Sequence, residues 1–266
     1  MSLLPTITST NVPPSAQINF DSANLNAAVS TITAYRTVDG ITTTVRSAIR
    51  LFATGGVSFI DHEIPIGVPV TYQVQQYNSS GTALGYTDPA VITVPTPGPL
   101  VAWVTDPLDA TQAVRVILSD AAGRRPSRPV PGTLHRIGRR TVALVGQRGL
   151  MEQLNMDFYT ETEADRDAID ALLDQSGGLL LIRTAPPVPV PRLLYVWAPN
   201  AVPEDFDPTG EEGTIWTNTV DEVSPAEGPL VRGAATWQLY MDAFPTWGDM
   251  DAAYTTWLDA MKNPPS

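Results

Sequence analysis

Residues Thr133 to Thr184 read TLHRIGRRTVALVGQRGLMEQLNMDFYTETEADRDAIDALLDQSGGLLLIRT, in the order strand, strand, one well-signalled helix, strand. Met151, Leu154 and Met156 alternate with Glu152, Asn155 and Asp157, the period-2 signature of a half-buried strand. Thr160 and Glu163 stand at capping-box spacing, where each side chain satisfies the other's orphan backbone amide. Ile169, Leu172 and Leu173 follow at helical spacing, and Gly177-Gly178 supplies the left-handed turn that ends a helix. A helix is therefore predicted near 161–176. Leu179 to Ile182 reads as a fully buried strand. Nothing in the stretch suits covalent chemistry, and a helix whose task is to cover a sheet predicts a structural or assembly domain.

Outward from this stretch, the composition points the same way. With 25 prolines and 19 glycines in 266 residues, turns are frequent and strands short, so the predicted class is mainly β. A hydrophobic content of 43% supports real cores. The one lysine is Lys262, so nearly all positive charge is arginine, whose planar fork suits fixed bidentate contacts at interfaces. A net charge of −12 argues against a chain that coats nucleic acid or an anionic membrane. The absence of cysteine excludes disulfides, thiolate catalysis and cysteine-based metal centres. No stretch approaches the roughly 20 apolar residues that span a bilayer. The first ten residues lack the basic region and apolar run of a signal peptide, so the expected place of synthesis is a cytoplasm.

Residues 1–97 form the first predicted unit. Ala16 to Phe20, Val29 to Tyr35, Val70 to Gln75 and Ala90 to Val94 read as strands, with Asp39-Gly40 as a hairpin turn. Short strands at this spacing predict a β-sandwich. The run IPIGVPVTYQVQQYNSSGTALGYTDPAVITVP resembles the last third of fibronectin type III domains, and the resemblance makes Tyr72 the corner tyrosine. The strand-B tryptophan of that family is missing, since the first tryptophan is Trp103. Pro95, Pro97 and Pro99 then form a short stiff linker.

Residues 98–244 form the second predicted unit. It adds Leu100 to Val104, Ala113 to Leu118, Leu193 to Trp197 and Thr214 to Thr219 as strands, and Ala235 to Met241 as a closing strand. Residues 245–266 are predicted as one amphipathic helix. Thr246 and Asp249 make its capping box, and Trp247, Met250, Tyr254, Trp257, Leu258 and Met261 its apolar stripe, buried against the second unit's sheet. Thr-Trp recurs at 236, 246 and 256, but too little else matches at that period to predict a structural repeat.

The arginine-bearing strand pair, the helix and the GGLLLIR strand of the second unit resemble tail-hub and distal tail proteins of long-tailed bacteriophages. TWQLY…FPTWGDMDAAYTTW resembles the C-terminal ends of minor tail proteins from phages of actinobacteria. The resemblance implies a tail-hub-like β-sandwich or split barrel with one covering helix. It also implies a virion structural protein of the tail tip or baseplate, with three- or six-fold rings and other tail proteins as partners.

The strongest electrostatic feature is arginine at 124, 125, 128, 136, 139, 140 and 148. From Ala121 to Leu150 there is no acidic residue, so this segment carries about +7 inside a −12 chain. One reading is an inter-subunit contact that meets acidic surface on a neighbour, together with Trp247, Tyr254 and Trp257 as a docking stripe. The bland reading is a solvated loop, a basic strand face and a helix packed within its own chain. Nucleic acid is disfavoured, because no aromatic residue is interleaved for base stacking. The loop Asp205-Phe206-Asp207-Pro208-Thr209-Gly210 opens like a calcium loop, with Asp205, Asp207 and Thr209 as oxygen ligands, but Trp216 stands where the closing glutamate belongs.

Asp61-His62-Glu63 reads as a surface histidine rather than a metal or catalytic cluster, because adjacent strand residues point to opposite faces and the other histidine, His135, lies in another predicted unit. Asp61 stands beside turn residues, where aspartate serves backbone hydrogen bonds. No G-x-S-x-G turn accompanies a Ser/His/Asp set. The expectation is therefore a non-enzymatic chain without cofactors. The alternative is a module that binds carbohydrate or the host surface through residues 1–97, for which Tyr35, Tyr77 and Tyr86 are the aromatic candidates.

Overall fold

The computed structural model describes residues 4–11, 13–109, 113–124, 126–137, 139–205, 213–225, 237–262 and 265. The chain is mainly β and forms two compact units. One gathers Met1–Pro97, Leu108–Thr111 and Glu227–Ser266, and the other gathers Gly98–Pro107 and Gln112–Ala226.

The first unit is a two-sheet sandwich. Strands β1 (Thr6–Asn11), β2 (Pro14–Asp21) and β6 (Gly56–Asp61) form one antiparallel sheet. The other has the order β4 (Ile41–Thr44), β3 (Thr31–Val38), β7 (Pro69–Tyr77), β8 (Ala83–Tyr86), with β5 (Leu51–Phe52) on β3 and β9 (Ala90–Thr93) on β7. Alternation in β2 sends Ala16, Ile18 and Phe20 inward, where they meet Ile32 and Ala34 of β3 and Val70, Tyr72 and Val74 of β7. Asp39 and Gly40 both take positive φ, which gives the β3–β4 hairpin the twist-matched turn that an Asp-Gly pair favours.

The second unit is one long curled antiparallel sheet rather than two facing ones. Its order is β14 (Leu154–Asn155), β20 (Thr219–Glu222), β17 (Leu193–Trp197), β16 (Leu179–Arg183), β10 (Val101–Thr105), β11 (Ala113–Leu118), β15 (Phe158–Thr160), β19 (Thr214–Thr217), β18 (Val202–Asp205). Side chains from β10, β11, β14, β15, β16, β17, β19 and β20 enter a single core, so the sheet wraps around it. Helix α1 (Glu163–Ser176) brings Ile169 and Leu172 to that core. Gly177 takes the left-handed conformation and Gly178 follows, its N–H donating to Leu173 O at 3.2 Å.

Two local expectations need correction here. The N-cap of α1 is Thr162, which accepts from Asp165 N at 3.1 Å, and not Thr160. Thr160 ends β15, fully buried, and accepts from Trp216 Nε1 at 3.3 Å. Thr-x-x-acid occurs at both positions, and the strand claimed the first. Met151, Leu154 and Met156 are all buried, yet the strand they predict is interrupted. Gln153 takes φ of 51°, and Asn155 and Asp157 bond to each other in a turn.

The C-terminal region departs furthest from expectation. Met241 lies in helix α2 (Trp237–Ala243), not in a closing strand; Ala235 lies outside the described residues. The single amphipathic helix over 245–266 is two short ones, α3 (Trp247–Ala253) and α4 (Trp257–Lys262). Thr246 and Asp249 do cap α3 reciprocally. Tyr254 then adopts extended backbone (φ −130°, ψ 132°), and the β-branched pair Thr255-Thr256 gives no help to a continuing helix.

The ten-residue period is structural after all. Each helix begins at a tryptophan ten residues from the last, and Tyr240, Met250 and Ala260 form the buried centre of one small core. Phe244 and Tyr254, again ten apart, pack edge-on with ring centroids 5.6 Å apart. Met261 packs against the core of the N-terminal sandwich, not against the second unit's sheet.

Candidate assembly surfaces and buried charges

The arginine segment builds an arm. Among the described residues, strands β12 (Gly132–Ile137) and β13 (Arg140–Val145) pair only with each other, and every residue in both is exposed. Backbone bonds prolong the pairing, from Gly146 N to Pro131 O, Gly149 N to Pro129 O and Glu152 N to Ser127 O. From Ser127 to Ile137 the arm is about 30 Å long at roughly 3.3 Å per residue.

Opposed residues in such a ladder share a face. Leu134, Ala143 and Val145 therefore share one face with Arg136, while Ile137, Val142 and Leu144 share the other with His135 and Arg140. Leu134, Ile137, Leu144 and Val145 are 75%, 68%, 62% and 70% exposed. An ordinary surface hairpin is apolar on one face at most. This one is apolar on both.

The predicted arginines divide into distinct settings. Arg136, Arg139, Arg140 and Arg148 meet no carboxylate among the described residues. Arg124 makes an exposed pair with Asp120 at 3.4 Å, and Arg128 lies 3.8 Å from Glu222. Arg125 lies outside the described residues. The expected stripe of Trp247, Tyr254 and Trp257 is split. Trp247 is 62% exposed, whereas Tyr254 and Trp257 pack on Tyr240, at centroid distances of 6.4 and 5.5 Å.

Of the calcium-like loop, Asp207 and Thr209 lie outside the described residues, and Asp205 ends β18. Among the described residues no three His, Asp or Glu side chains are grouped to hold a metal ion. No helix there is long and apolar enough to cross a membrane.

The sequence reading missed a buried charge network in the sandwich. Asp61 and Glu63 are 2% and 4% exposed, on the same side as two buried arginines. Arg36 donates to both Asp61 oxygens at 2.8 and 3.0 Å and lies 3.5 Å from Glu63, while Arg46 donates to Glu63 at 2.6 Å. The Tyr72 hydroxyl donates to Asp61 at 2.7 Å, a carboxylate partner rather than a backbone one. Burial pushes the Asp61 carboxyl upward, but the Arg36 charge and the hydrogen bonds from Tyr72, Arg36 and Glu63 N–H outweigh it, so its pKa is lowered. Burial, reinforced by Asp61, raises Tyr72 well above the phenol range. Asp61 does serve a backbone bond beside a turn, from Glu63 N at 2.9 Å, but its main partners are side chains. His62 is half-buried rather than a free surface residue. Arginines at inward strand positions, such as Arg36, were the available signal.

Tyr35, Tyr77 and Tyr86 gather on one face of the same unit. The rings of Tyr35 and Tyr86 are 6.2 Å apart, and the Arg50 guanidinium lies 3.5 Å from the centre of the Tyr77 ring. Burial and the neighbouring Tyr77 and Tyr86 raise the Tyr35 pKa. No protein-family model matches the chain, and no curated protein or solved structure matches it either.

Proposed function

We propose that the chain is a structural subunit that assembles through its basic arm, as a minor or distal component of the tail tip or baseplate of a long-tailed phage. The observation that carries this reading is the hairpin with apolar residues on both faces. A lone two-stranded ribbon is at best marginally stable in water, and its open edges invite another chain. A sheet apolar on both faces is one that becomes covered on both faces. A ring of copies, in which each arm lies between neighbours, meets that need through a heterologous interface. The arm's unpaired arginines then face the acidic remainder of the chain, which carries about −19. The tail assignment adds to this the resemblance of the second unit and of the C-terminal segment to tail proteins.

The test substitutes Leu134, Leu144, Arg136 and Arg140 with serine. The variant is expected to fold, because none of these side chains is in a core, and to fail to form rings or enter tails. Sedimentation of the purified protein and electron microscopy of particles measure this. Normal incorporation of the variant would refute the arm as interface. A second reading, surface or carbohydrate binding by the first unit, is favoured by the tyrosine cluster with Arg50. Loss of host-cell adsorption in Tyr86→Ala particles that assemble normally is its test.

A further inference from the structure

We propose that a cavity at the base of the arm binds a small organic phosphate. The cavity, of about 370 Å³, is lined by the arginines Arg128, Arg148 and Arg192, with Met151, Val188 and Val190 among its apolar walls. Among the described residues, Glu222 is the one carboxylate within ion-pair distance of these three guanidiniums. That carboxylate lies 3.8 Å from Arg128 and already accepts from Met151 N at 2.8 Å. Among the described residues Arg148 is exposed and meets no acid, and the Arg192 side chain donates to Val188 O at 3.2 Å and to no carboxylate. The site is left with an excess of about two positive charges. A lone carboxylate occupies one arginine fork. A phosphoryl dianion has enough oxygens for several forks and matches the charge.

The wall behind the arginines is pre-built. Residues 184–192 are closed by Val188 N to Ala185 O, Thr184 N to Arg192 O and Thr184 Oγ1 to Pro191 O. Val190 sits so close to Gly123 that a Cβ there would meet its Cγ1 at 2.5 Å. Prolines 186, 187, 189 and 191 stiffen the loop further. The volume falls in the roughly 300–1,000 Å³ range of small-molecule sites. A bare oxyanion leaves most of it empty, and the remaining room, bordered by Pro126, Pro189 and Pro191, admits an organic body beside the phosphoryl group.

The inference is independent of the assembly reading. Its test is calorimetric titration of the full chain with phenyl phosphate and with inorganic phosphate. Expected is one saturable site that prefers phenyl phosphate and weakens about tenfold or more in Arg148→Ser, the loss of one charge-assisted contact. The exposed Arg148 side chain has no bonding partner among the described residues, so this variant stays folded even if Arg192→Ser does not. Arg139→Ser, on the arm outside the cavity, is expected to bind as the parent does. Absence of saturable binding, equal affinity for inorganic phosphate, or an equal loss in Arg139→Ser would each overturn the proposal, the last by making the arginines a diffuse counter-ion surface.

Discussion

Asp61 shows how much one residue carries in this chain. It is 2% exposed and holds Arg36, Tyr72 and the Glu63 amide at once. Asp61→Ala leaves the Arg36 guanidinium buried with its main partner gone, so a loss of about 3–5 kcal/mol is expected in urea unfolding. The same geometry sets a pH dependence. The folded-state pKa of Asp61 lies below its ordinary value of 3.8. Its contribution is therefore complete above that value and is lost as pH falls through the folded pKa. Unfolding followed across the acid range should show a stability decline that Asp61→Asn flattens. Thr162 is a second residue with a single job, the N-cap of α1. Thr162→Ala should cost about 1 kcal/mol. Thr160→Ala acts differently, by removing the acceptor of Trp216 Nε1, and near-ultraviolet circular dichroism of the tryptophan separates the two.

Among the elements, the C-terminal repeat is the one whose stability can be argued from its parts. Three helices of seven, seven and six residues are each too short to persist alone. They hold because Tyr240, Met250 and Ala260 share a core, and because the Tyr240 hydroxyl donates to Ala260 O at 2.7 Å. Burial, with Tyr254 adding, pushes the Tyr240 pKa up to about 12. A raised phenol pKa means stability that is intact below the unfolded value of 10.0 and is lost as pH rises toward 12. Truncation after Phe244 removes α3 and α4 and exposes Tyr240 and Phe244. Full burial of an aromatic ring such as Tyr240 is worth about 1.5–3 kcal/mol, and the half-buried Phe244 adds less, so the melting temperature should drop by several degrees. An unchanged melting temperature would mean that the small core adds nothing to the fold.

At the scale of the whole molecule, the first unit draws on both ends of the chain. Met261 of α4 packs on the sandwich core built by residues 16–94. A fragment of residues 1–97 should therefore fold cooperatively but melt below the corresponding transition of the full chain. Differential scanning calorimetry of both tests this, and identical transitions would deny α4 any stabilising role. The arm belongs to the same scale, because its apolar faces have no partner within β12 and β13. Its stability should rise on assembly, and slower amide exchange of Thr133 to Val145 in assembled particles than in the free chain would report it.

The sequence by itself determined where most strands and the covering helix lie and which of their residues turn inward. The alternation in β2, β7 and β11, the α1 face at Ile169 and Leu172, the Asp39-Gly40 turn and the Thr246–Asp249 cap were all readable, because each is set by residues within a few positions of one another. Burial at Met151, Leu154 and Met156 was readable even where the strand itself breaks. The tertiary structure alone decided matters that join distant residues. Arg36 and Asp61 are 25 positions apart, and Tyr240 and Ala260 are 20 apart. Arg128, Arg148 and Arg192 reach one cavity from two segments of the chain. A local period records that a side chain leaves water, but not what it meets there. The arm shows the converse, since Leu134 and Leu144 carry the pattern of burial while this chain alone leaves them exposed.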